Sequence, residues 1–100
     1  MAKRMKIVTV CGCGLGSSLL AKGMIEKIAR EFGVQTVIDA ADVGTAKGYE
    51  ADLVVVQAHL MSRLGEIPGT PVVGVKSFVD QEELRTLLGP YINEFFQKGG

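Results

Sequence analysis

The chain has 100 residues, 47% of them hydrophobic, with eleven acidic and eleven basic side chains. That size and composition fit one domain with a packed core, expected to fill residues 1–100 with an ordered part over 6–97. The charge balance removes the electrostatic case for a nucleic acid or an anionic membrane as partner, and two cysteines are too few for a disulfide scaffold.

The N-terminus, "MAKRMKIVTVC", has the basic–apolar–cysteine order of a lipoprotein leader. Ile7–Val10 falls short of the apolar region of about 7–15 residues that such a leader needs, and Val10 is bulkier than the residue expected before a cleaved cysteine. No apolar run reaches the ~18 residues that span a bilayer. A reduced, cytoplasmic setting without membrane insertion is therefore expected.

Ile7–Val10 is short, apolar and β-branched, the pattern of a buried strand. Ser17 and Ser18 are natural N-caps for the helix that follows. Leu20, Met24, Ile28 and Phe32 recur every four residues beside Ala21, Ile25 and Ala29, which predicts one wide apolar stripe. Glu26 and Arg30 are spaced to pair on the polar side, and Gly33 is the expected stop. Gly23 inside the helix costs about 1 kcal/mol relative to alanine. A close approach to the sheet would explain it.

Val34–Ala40 and Ala51–Gln57 predict the second and third strands, separated by the polar, glycine-containing "DVGTAKGYE". A short helical turn is expected around Leu60–Leu64, and a fourth strand over Pro71–Val75. Asp80 opens the last helix, with Glu83 spaced to complete a capping box. Leu84, Leu87, Leu88, Tyr91, Ile92, Phe95 and Phe96 supply its apolar face, and Gly89-Pro90 should bend or interrupt it. Near-continuously apolar strands alternating with helices predict an α/β fold, a three-layer α/β/α sandwich of Rossmann-like type. Its four-stranded parallel sheet is expected in the order 2-1-3-4. The topological switch point then lies between strands one and three, where ligands bind at the carboxyl ends. Cys11 stands at that end of strand one, and Gln57, Ala58 and His59 at that end of strand three.

The loop "CGCGLGSS" carries the chemistry. Gly12, Gly14 and Gly16 let backbone N–H groups converge, and the start of a helix adds unpaired donors and a partial positive charge. Ser17 and Ser18 can add hydroxyl donors. The result is an anion cradle over the Cys11 sulfur, a setting that stabilises a thiolate. The same donors would hold the oxygens of a phosphoryl group carried on that sulfur. A cysteine phosphatase of low molecular weight, or an arsenate reductase, would use similar geometry. It also needs a loop arginine and a general acid, and the loop has neither. Asp80 reads better as a helix cap than as a remote acid.

Other readings of the same residues are weaker. A redox Cys-x-Cys pair is possible at Cys11 and Cys13, although redox motifs more often use two spacers. Two cysteines and one distant histidine, His59, are too few for a tetrahedral metal site. A dinucleotide fingerprint with Asp39 as ribose acid fails at Ser17, where its last glycine should stand. No metal and no cofactor is expected.

The segment "VCGCGLGSSLLAKG" resembles the phosphocysteine loop of the cytoplasmic IIB components of the bacterial phosphoenolpyruvate-dependent sugar phosphotransferase system. It is most like the ascorbate branch of the lactose/galactitol/ascorbate-like IIB proteins, whose loop reads Cys-Gly-x-Gly-x-Gly-Ser-Ser. "DVGTAKGYEADLVVV" and "VVGVKSFVDQEEL" resemble that branch too. The resemblance implies Cys11 as the phosphorylated residue and Gly12, Cys13, Gly14, Leu15, Gly16, Ser17 and Ser18 as the phosphate-binding loop. It implies a IIA phosphohistidine donor and a membrane IIC partner holding the sugar or sugar acid, L-ascorbate by the branch. The departure is Cys13, where many relatives carry no thiol.

Overall fold

A computed structural model describes residues 4–10, 16–65, 67, 69–78 and 80–98, with the backbone alone at 16–19. Strand β1 (Arg4–Val10) leads into helix α1 (Gly16–Glu31), then β2 (Gln35–Ala41) and β3 (Leu53–Gln57). A short helix α2 (Met61–Leu64), strand β4 (Val72–Val75) and helix α3 (Gln81–Gln97) complete the chain. Single 3-10 turns occupy Ala46–Gly48 and Ala58–Leu60. All strand pairs are parallel, in the order β2-β1-β3-β4. The sheet therefore has the expected order, and α2 stands where a helical turn was expected.

Strand β1 starts three residues earlier than the apolar run suggests. Arg4, Met5 and Lys6 pair in register with Gln35, Thr36 and Val37, and Met5 is buried. The charged neighbours hide the strand's start because only Met5 faces the core.

The helix α1 buries Ala21, Ile25, Ile28 and Ala29 completely. The stripe is narrower than its spacing suggests, since Met24 and Phe32 are half-buried and Leu20 is 57% exposed. The helix begins at Gly16, which puts Ser17 and Ser18 inside its first turn rather than at the cap. It ends as expected at Gly33, with φ +78°. Gly33 N–H donates to Arg30 O and Val34 N–H to Ala29 O, a Schellman motif that a residue with a Cβ adopts only under strain. Two expectations fail here. A Cβ on Gly23 would meet nothing within 4 Å, so no close approach to the sheet explains that glycine. Glu26 and Arg30 do not pair; Glu31 instead reaches Arg85 on α3 at 2.7 Å.

The helix α3 opens on Asp80, whose Oδ1 accepts the Glu83 N–H at 3.1 Å. The other half of the capping box is replaced. The Glu83 carboxylate accepts the N–H groups of Lys76 at 2.9 Å and Ser77 at 3.0 Å, tying down the exit of β4. Of the bend or interruption expected at Gly89-Pro90, the interruption does not occur: α3 runs continuously through both residues. Pro90 and Thr86 both face solvent, so water can satisfy the carbonyl that loses its partner. Leu84, Leu88 and Ile92, fully buried on the other side, hold both halves against the sheet. Tyr91 and Phe96 fall outside the apolar face, at 36% and 49% exposure.

The three layers are unequal. On one face of the sheet, α1 and α3 pack against each other and over Met5, Ile7, Ile38, Leu53, Val55, Val73 and Val75. The other face is covered by short turns: Ala46, Leu60 and Leu64 lie over Val8, Val10, Val54 and Val56.

Candidate functional site

The crossing point of the topology is set by β1. Its last residue, Val10, pairs with Ala41 on one side and Val56 on the other. The elements that follow β1 and β3 lie on opposite faces of the sheet, so this is the topological switch point, where open α/β sheets bind their ligands. Helix α1 begins at Gly16, so residues 11–15 join the end of a central strand to the amino end of a 16-residue helix. Cys11, Gly12, Cys13, Gly14 and Leu15 themselves lie outside the described residues. Gly16, Ser17 and Ser18 are the first three helical positions, where backbone N–H groups have no partner within the helix. The first turn holds no acidic residue, so nothing in its own sequence neutralises its positive end.

Three segments form the described rim. At the end of β2, Asp42 Oδ1 accepts hydrogen bonds from Thr45 N–H at 2.8 Å and Thr45 Oγ1 at 2.9 Å. These bonds hold the Asp42 carboxyl below its ordinary value, with the hydroxyl bond the larger cause. An ionised, doubly bonded carboxylate is a poor proton donor. At the end of β3, Gln57 is half-buried and the turn Ala58–Leu60 places His59 on the surface of the same edge. At the end of β4, Lys76 is exposed beside the backbone that Glu83 anchors.

The rim is positioned by one close backbone approach. A Cβ on Gly74 would overlap the Met61 thioether, so this glycine lets α2 settle onto β4. The sequence reading missed both this contact and the Asp42–Thr45 turn. The signal for the turn was present as Asp-x-Gly-Thr; a contact between residues thirteen apart left none. Asp80, considered as a remote acid, spends its Oδ1 on the helix cap. Among the described residues no cluster of three His, Cys, Asp or Glu could hold a metal ion.

An open groove of about 410 Å³ lies at the opposite edge of the sheet. Met5, Asp52 and Pro71 from the strand beginnings and Tyr91, Phe95 and Lys98 from α3 line it. It is remote from the carboxyl ends and takes no part in the site.

A parallel sheet ordered 2-1-3-4 with a strand-to-helix connection at its switch point defines the doubly wound class of α/β proteins. The family described as "PTS system, Lactose/Cellobiose specific IIB subunit" matches residues 6–89, and the chain belongs to that family. It is thus a phosphotransferase, the IIB component of a sugar phosphotransferase system.

The relatives agree with this. The ascorbate-specific PTS system EIIB component of Mycoplasma pneumoniae is 34% identical over 88 residues, covering 86% of this chain and 93% of that protein. The protein of the same name from Salmonella typhimurium is 24% identical over 94 residues, covering 92% and 93%. The lactose-specific IIB domain structure from Streptococcus pneumoniae superposes with a TM-score of 0.56 at 16% identity, covering 97% of this chain and 98% of that one. At that identity the match speaks for the fold alone. Among the described residues no helix is long and apolar enough to cross a membrane.

Proposed function

We propose that this IIB component carries its phosphoryl group on Cys11, accepting it from a IIA phosphohistidine and passing it to a substrate held by a membrane IIC partner. One observation carries the reading. The stretch Cys11–Leu15 connects the end of the central strand to a helix whose first N–H groups have no partner within the helix and whose first turn holds no acidic residue. In the first step the thiolate attacks phosphorus, the S–P bond forms and the N–P bond to imidazole breaks. In the second, a substrate hydroxyl oxygen attacks phosphorus, the O–P bond forms, the S–P bond breaks to return the thiolate, and the hydroxyl proton passes to solvent. In-line displacement of this kind asks for positioning and stabilisation of the phosphoryl oxygens more than for side-chain acid–base work. Backbone donors from Gly12, Cys13, Gly14, Leu15, Gly16, Ser17 and Ser18 would supply it. The two partners use one face in turn, so each docks transiently, and the setting is cytoplasmic.

The substrate class is a sugar or sugar acid, L-ascorbate by the names of the relatives in two bacterial groups. The phosphatase reading is less well supported. No arginine stands in the loop, Asp80 is a cap, and Asp42 is held ionised by Thr45.

The test is intact mass after incubation with phosphoenolpyruvate, the general phosphotransferase proteins and a cognate IIA. One phosphoryl mass is expected on wild type and Cys13→Ala and none on Cys11→Ala. No adduct on wild type, with the IIA itself phosphorylated, would refute the relay. Steady release of phosphate from an aryl phosphate would favour the phosphatase.

A further inference from the structure

Of the four strands only β3 ends on a polar side chain. The others finish on Val10, Ala41 and Val75, whereas β3, "LVVVQ", finishes on Gln57. Alternation puts Gln57 on the helix-covered face with Leu53 and Val55, and its strand partner Val75 is buried on that same face. The rest of β3 is buried and apolar, and Gln57 is half-buried. A glutamine here gives up the apolar burial that a valine would make.

Gln57 stands beside the start of the loop. Val10 and Val56 form the last rung between β1 and β3, and Gln57 is the next residue of β3. Cys11 is the next residue after Val10 in the sequence. A peptide step is about 3.8 Å and adjacent strands are about 4.8 Å apart, so the two Cα atoms are separated by at most roughly 12 Å. The strands are parallel, so β1 and β3 both point to this edge. The connection that begins at Cys11 ends at the amino end of α1, on the face that Gln57 shares. Other polar side chains of the edge are engaged or lie further out. The Asp42 carboxylate is bonded to Thr45, His59 sits on the surface turn, and Lys76 follows β4, two strands from β1.

We propose that Gln57 is a phosphoryl-binding residue of this phosphotransferase: its carboxamide N–H donates to an oxygen of the phosphoryl group on Cys11. The inference rests on the reading of Cys11 as the carrier. The loop "CGCGLGSS" holds no Lys, Arg or His, so its donors are all neutral, and a carboxamide extends that set with two N–H groups and no charge. Neutral donors suit a relay. A fixed cation would stabilise the phosphocysteine itself and so oppose the second transfer.

Two variants of similar side-chain length, Gln57→Met and Gln57→Glu, test the role. With a phosphorylated IIA as donor, Gln57→Met should slow phosphoryl gain at saturating IIA by roughly 10²-fold, the loss that follows removal of one oxyanion donor, with the half-saturating IIA concentration unchanged. Gln57→Glu should lose more, because a carboxylate then faces the phosphoryl oxygens. A second readout needs no partner. The pH midpoint for alkylation of Cys11 by iodoacetamide, read by fragment mass so that Cys13 is scored separately, should rise in Gln57→Glu, since a neighbouring carboxylate disfavours the thiolate. The other ionisable groups of that edge, Asp42, His59, Lys76 and Asp80, are the same in every variant. A glutamine with a purely structural role would shift the urea midpoint and leave the alkylation midpoint where it is. Both variants gaining phosphoryl at the wild-type rate, or an unmoved alkylation midpoint in Gln57→Glu, would each overturn the inference and leave the relay standing. No adduct on wild type from a phosphorylated IIA would instead end the relay, and this role with it.

Discussion

The two faces of the sheet are lined by similar aliphatic residues but covered in different ways. One lies under two helices of 16 and 17 residues that pack on each other and bury Ile25, Ile28, Leu84, Leu88 and Ile92 completely. The other lies under single turns that contribute Ala46, Leu60 and Leu64. The helical face is continuous and deep, so a missing side chain there leaves a hole that neighbours cannot fill. The turn-covered face is thin and can settle. It also supplies the turn that carries His59 at the site's edge, so the division separates a scaffold from an adjustable rim.

Truncations test that division most strongly. Leu88→Ala, under the helices, should cost about 3–4 kcal/mol, and Leu64→Ala, under the turns, about 2 kcal/mol, in urea unfolding. Equal losses would show that the thin face is as rigid as the other. Gly74→Ala probes the contact that sets the rim. The added methyl collides with Met61 and should cost about 1–2 kcal/mol. Met61→Ala should remove most of that penalty in a double-mutant cycle; additive losses would rule the contact out as the cause.

Gly23→Ala should act in the opposite direction, raising stability by about 1 kcal/mol, since the new methyl points into open space. A loss of stability on thermal unfolding would mean that the scaffold is tighter at α1 than its geometry indicates.

The smallest effect is electrostatic. The Thr45 hydrogen bonds lower the folded-state pKa of Asp42 below its ordinary 3.8. Stability from this source is present above the unfolded-state value and lost as pH falls through the folded one. Thr45→Val should therefore be less stable than wild type at neutral pH, and the gap should narrow below about pH 3.8. An Asp42 resonance that titrates identically in both proteins would dismiss the Thr45 clamp.

Much of this was readable in advance. The β-branched runs announced all four strands, and their alternation with helices announced the parallel sheet. Asp80 and Gly33 marked helix ends by local chemistry that needs no neighbour. Side-chain width was less legible. Leu20, Tyr91 and Phe96 share the spacing of core residues, but a helix on a sheet buries a narrower strip than its apolar residues occupy. The passage of α3 through Pro90 was not legible either, because it depends on which side of the helix faces water.

What the sequence alone determined is local or periodic: strand and helix positions, the capping aspartate, the fold class they imply, and a match to the IIB family over residues 6–89. What only the tertiary structure decided comes from packing between distant segments. It allotted long helices to one face and turns to the other, turned Glu83 from its own helix to the backbone of Lys76 and Ser77, and placed β2 at the edge of the sheet. Propensity and capping act over a few residues and can be read along the chain. Burial and edge exposure are set by what arrives from elsewhere, and no short stretch of sequence records it.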